Sequence, residues 1–88
     1  PDNSSGHRAL GLLSLAAGDP ERAVKEFRTS IGQVKTPPDT WFLLGETLHA
    51  LGDAGAAEEA WTLAIAKARR KKDWQVLRAR ARLAASSD

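Results

Sequence analysis

The 88-residue chain contains no cysteine, no methionine and no tyrosine. Without cysteine there is neither a disulfide framework nor a thiolate zinc site to stiffen it, and the redox compartment stays unread. A chain of this length buries only about 60–65% of the surface its unfolded form exposes, so side-chain packing alone must supply its stability. No apolar run reaches the roughly 18 residues of a membrane span. The first ten residues, PDNSSGHRAL, lack the basic-then-apolar layout of a signal peptide. Because the chain starts at Pro1 instead of methionine, it is expected to be an excerpt of something longer.

Chemistry-bearing clusters are scarce too. The two histidines, His7 and His49, fall in different segments, whereas a metal site needs three or four ligands on one face. A packing or helix-start role is expected for His7. Glu58 and Glu59 are neighbours in sequence, and on a helix they point about 100° apart, which suits solvation and not a paired-carboxylate site. No Gly-rich turn follows a strand or ends in Lys-Ser/Thr, so no phosphate loop is expected. No nucleophile stands beside a base. The expectation is a protein that is not an enzyme and uses no metal or cofactor.

What the chain does have is helix. Its 42% hydrophobic and 27% charged content fits one globular domain, and its abundant Ala, Arg, Leu and Gly fit a GC-rich bacterial genome. Ala9, Leu10, Leu12, Leu13, Leu15, Ala16 and Ala17 form a broad apolar face on a first helix. GDPERA then stops that helix at Gly18 and starts a second, with Asp19 as cap and Pro20 at the first helical position. Ala23, Val24, Phe27, Ile31 and Val34 recur at steps of three and four, the spacing of a buried stripe. After the break at TPPD a third helix is expected from about Pro38 to Leu51. GDAG repeats the earlier turn, with Asp53 capping a fourth helix whose stripe is Ala57, Ala60, Trp61, Ala64, Ile65 and Ala68. Asp73 is placed to cap a fifth helix from about Trp74 to Ala85. Period-two alternation is missing beyond a few residues, so the chain reads as all-α.

Sliding the sequence along itself until Leu10 falls on Leu44 also aligns Gly11 with Gly45, Ala16 with Ala50, Gly18 with Gly52, Asp19 with Asp53, Ala23 with Ala57 and Ile31 with Ile65. The same shift pairs Phe27 with Trp61 and Ser30 with Ala64, without a gap. Two copies of one helical hairpin are expected. Gly11 and Gly45 should mark the points where paired helices approach closely; Gly18 and Gly52 should be stop signals.

WFLLG at Trp41 to Gly45, LGDAGAAEEAW at Leu51 to Trp61, and Ala64 resemble the tetratricopeptide repeat. The first copy resembles it through Leu10–Gly11, AAGDPERAVKEF and Ser30. The likeness covers about residues 4–71. The first copy departs in having His7 and Ser14 where the second has Trp41 and Leu48. A third shift puts Gln75 at the place of Trp41, and Arg78 and Ala79 opposite Leu44 and Gly45, so residues 73–86 read as a capping helix. The resemblance implies antiparallel hairpins stacked as a right-handed solenoid: repeat one at 4–37, repeat two at 38–71, then the cap, with Arg78, Arg80 and Arg82 on its polar outer face.

The resemblance further implies a concave groove, lined by the first helix of each hairpin, for a peptide or protein. Carried over, the groove residues are Ser5, Arg8, Leu12, Leu15 and Ala16 from the first hairpin, and Asp39, Phe42, Glu46, His49 and Ala50 from the second. Leu12, Leu15 and Phe42 either read an apolar segment of the partner or lie against the fifth helix or further repeats. Some members of this family bind a C-terminal carboxylate through asparagines where this chain has Leu12 and Glu46, and Glu46 would repel that group.

Charge supplies a rival reading. Residues 1–66 carry five Lys/Arg against nine Asp/Glu, while residues 67–82 carry eight Lys/Arg against Asp73 alone. Arg69, Arg70, Lys71, Lys72, Arg78 and Arg82 form a candidate patch for an anionic partner: an acidic protein surface, nucleic acid or a membrane surface, with Trp74 as a stacking or interfacial residue. Nucleic acid is the less favoured of these, because one aromatic is not an interleaved set. A third reading is self-association or stacking on further repeats, with Leu13 on the N-terminal edge.

Overall fold

The computed structural model describes residues 3–33, 35–68 and 70–86. Five helices follow one another: α1 (Ser4–Ala16), α2 (Pro20–Ile31), α3 (Thr40–Ala50), α4 (Ala54–Ala66) and α5 (Trp74–Ser86). No strand occurs among the described residues. Each helix packs chiefly on its neighbours in the chain, and α5 also reaches α3.

The repeat extends to individual hydrogen bonds. In the first turn Gly18 N–H donates to Leu15 O and Asp19 N–H to Ser14 O, at 3.0 and 2.8 Å; in the second, Gly52 N–H donates to His49 O and Asp53 N–H to Leu48 O, both at 3.0 Å. Gly18 and Gly52 have φ of +80° and +85°, the left-handed conformation that closes a helix end and that side chains resist. Asp19 Oδ1 then accepts from Arg22 N–H, and Asp53 Oδ1 from Ala56 N–H, each at 3.2 Å. These are the caps that the sequence places there.

α3 starts later than expected, at Thr40. Pro37 and Pro38 precede it in a turn, and Thr40 N–H donates to Pro37 O at 3.1 Å. Asp39 occupies the cap position, but its side chain makes no cap hydrogen bond; both carboxylate oxygens accept from Arg8 instead.

The core is made by Ala23, Val24 and Phe27 of α2, Phe42, Leu44 and Leu48 of α3, Ala57, Ala60, Trp61 and Ala64 of α4, and Ala79 of α5. Ile31 and Ile65 pack against it, while Val34 lies outside the described residues. α1 packs through the face that Gly11 marks and leaves its broad apolar face outside. Its apolar residues Ala9, Leu10, Leu12, Leu13, Leu15, Ala16 and Ala17 are all exposed, and the residues it buries are Ser4, Gly11 and Ser14. The small face wins because the aromatic comes from the other helix: a Cβ on Gly11 would lie 2.5 Å from Phe27 Cε1. Polar contacts complete this seam. Ser30 Oγ donates to Ser4 O at 2.8 Å, Ser4 Oγ donates to Lys35 O, and His7 Nδ1 lies 2.9 Å from Glu26 Oε2.

Candidate functional site

On α1, Ser5, Arg8, Leu12 and Leu15 follow one another at steps of three and four, so they share a face. Leu12 and Leu15 are each 36% exposed, although both are large and apolar. Arg8 reaches across to the segment before α3: Nε donates to Asp39 Oδ1 at 2.7 Å, and the second arm of the fork donates to Oδ2. The hydrogen bond to Asp39 raises the pKa of the Arg8 guanidinium; desolvation opposes that shift, and the charge of Asp39 reinforces it.

Phe42 is corrected as a presented groove residue. It is 4% exposed, and Trp74 of α5 covers it edge-on with ring centroids 5.5 Å apart. Of the two readings given to Leu12, Leu15 and Phe42, burial against the fifth helix therefore holds for Phe42, while the leucines remain at the surface. Trp74 stays 49% exposed, with the Arg78 guanidinium 5.4 Å from its ring centroid. Glu46 is held by Arg82, whose Nε and terminal nitrogen donate to its two oxygens at 2.9 and 3.1 Å. His49 is exposed, its ring 5.6 Å from that of Trp61.

These contacts bring the start of α1 and the start of α5 to one cleft of about 380 Å³, lined among others by Ser5, Arg8, Asp39 and Trp74. Trp74 thereby joins the groove residues carried over by register. Its signal in the sequence is its place at the start of the fifth helix, but register alone does not show which side of α3 it covers.

The basic residues divide into two sets. Arg70, Lys71 and Lys72 are exposed in the connection between α4 and α5, where Lys71 Nζ donates to Ile65 O at 3.2 Å near the end of α4. Arg78 and Arg82 stand on α5 against Trp74 and Glu46. Arg69 lies outside the described residues. Among the described residues there is no group of three or more His, Cys, Asp or Glu able to hold a metal ion, and no helix long and apolar enough to cross a membrane.

A TPR repeat-containing protein of Pseudomonas aeruginosa is 35% identical to this chain over 74 residues, which make up 84% of the chain and 70% of that relative. The chain belongs to the tetratricopeptide repeat family. Two successive helix pairs, closed by identically wired glycine turns at Gly18 and Gly52, are consistent with that membership. No family model matches the sequence, and no solved structure is significantly similar to it. Membership points to a protein-interaction module in general terms and to a non-enzymatic family.

Proposed function

We propose that this tetratricopeptide repeat chain is a non-catalytic module that holds a peptide or helical segment of a partner protein along its concave face. On this reading residues 4–37 and 38–71 are two repeats, and residues 73–86 cap them. The observation that carries it is a surface band that starts with Trp74, half exposed, and Arg8 in one cleft and runs along the same face of α1 to Leu12 and Leu15, each 36% exposed. Apolar side chains left at the surface beside a charged anchor fit a segment with apolar contacts and a few polar ones. His49 and Glu46 extend the band on α3, and Phe42 supports it from beneath by seating Trp74.

A random peptide library selected on the wild-type chain tests this. Selected peptides should bind the Leu12→Ser/Leu15→Ser double variant at least tenfold more weakly in calorimetry, while the variant keeps its helical circular dichroism. Equal affinities would remove α1 from the site.

A further inference from the structure

A second surface lies on α5. At about 100° per residue, Val76, Ala79 and Leu83 share one face; the first two are fully buried and Leu83 packs on the core. The opposite face carries Trp74, Leu77, Ala81 and Ala85. Leu77 is 56% exposed, and both alanines are exposed. Arg78 and Arg82 flank this stripe on one side and Arg80 on the other. Between Arg78, Ala81, Arg82 and Ala85 the surface dips into a shallow depression of about 290 Å³.

We propose that this outer face of α5 docks an acidic amphipathic helix of a partner protein, its apolar stripe resting on Leu77 and Ala81 beside Trp74 and its carboxylates meeting Arg78 and Arg80. The alanines keep the surface low, so a second helix can approach to the usual interaxial distance of about 8–10 Å. Arginine forks match carboxylates bidentately. The charge is strongly one-sided, with eight Lys/Arg against one acid over residues 67–82. Glu46 answers Arg82 across an exposed pair, and pairs of that kind are weak enough to exchange.

Other occupants fit worse. A second copy docked α5 to α5 would set arginine against arginine. An anionic membrane would gain little from a stripe of one tryptophan, one leucine and alanines. Nucleic acid has no use for the apolar stripe.

The test uses a labelled peptide long enough to hold a helix of five or six turns, with leucine along one face and glutamate on its flanks, titrated by fluorescence anisotropy against the whole chain. Two control peptides replace glutamate by lysine or leucine by serine. The Glu/Leu peptide should bind saturably, and each control at least tenfold more weakly. Leu77→Ser, and separately Arg78→Glu/Arg80→Glu, should weaken binding at least tenfold, whereas Leu12→Ser/Leu15→Ser should leave it unchanged, which separates this surface from the concave face. Circular dichroism verifies folding of each variant; if the double charge variant fails to fold, Arg80→Gln, expected to weaken binding about threefold, replaces it. Equal binding of the Glu and Lys peptides, or variants that bind like wild type, would overturn the proposal. So would tighter binding to vesicles containing anionic phospholipid, or to an oligonucleotide, than to the Glu/Leu peptide.

Discussion

A Cβ on Gly45 would sit 2.5 Å from Trp61 Nε1, as one on Gly11 would meet the ring of Phe27. Trp61 is buried to 1% exposure and cannot swing aside. The helix cost of glycine, about 1 kcal/mol relative to alanine, is therefore offset by an aromatic seated directly on backbone. Gly45→Leu should destabilise by about 3 kcal/mol or more, through overpacking, read as a lowered midpoint in urea; an unchanged midpoint would refute the close approach. Gly55 is the control. It lies in α4 with nothing within 4 Å of its would-be Cβ, so Gly55→Ala should stabilise by about 0.5 kcal/mol. Gly52→Val should instead cost about 1–2 kcal/mol, because at φ +85° the strain comes from the backbone and not from crowding. The glycine roles are legible in the sequence because each of Gly11, Gly18, Gly45 and Gly52 has a twin, and each pair of twins faces either an aromatic or an aspartate.

Four aspartates, Asp19, Asp39, Asp53 and Asp73, stand at helix starts, yet two are shown to cap by their side chains. Asp19 and Asp53 each accept from a backbone N–H of the first turn, whereas Asp39 turns to Arg8. Asp53→Ala should lower stability by about 1 kcal/mol in a denaturant titration. Sequence position alone could not separate Asp39 from the others, because its partner lies on α1, on the far side of a whole hairpin. The same limit explains Phe42. Register places it on the same face of α3 as Glu46 and His49, but what covers it is Trp74, delivered by a helix whose docking no local period encodes. Phe42→Ala should cost about 3–5 kcal/mol in thermal or chemical unfolding, enough to unfold much of a domain this small. For that reason the exposed Leu12 and Leu15 are the better probes of binding. α1 departs from its periodicity for a related reason. Spacing finds the apolar face, and in this helix the face packed on α2 is the small one.

Across the whole molecule, stability should be uneven. Among the described residues α3 and α4 supply seven of the eleven in the buried cluster and α1 none, so in hydrogen exchange the amides of α3 and α4 should be the best protected and those of α1 the least. Equal protection would mean that the serine and glycine seam holds α1 as firmly as the apolar cluster holds α3 and α4. The Arg8–Asp39 pair ties α1 to the segment before α3. Folding raises the Arg8 pKa, so its contribution is complete below the ordinary arginine range and is lost only as pH rises through the still higher folded value. The stability difference between wild type and Arg8→Met should accordingly stay flat between about pH 6 and pH 9. The sequence by itself determined the helices, the repeat period, the glycine turns and two caps, because each depends on residues within one hairpin or on comparing its two copies. Only the tertiary structure decided that Phe42 is buried, that Asp39 serves Arg8, and that α1 exposes its leucines. Each of these depends on which helix arrives opposite, a contact between segments distant in the chain that no local spacing records.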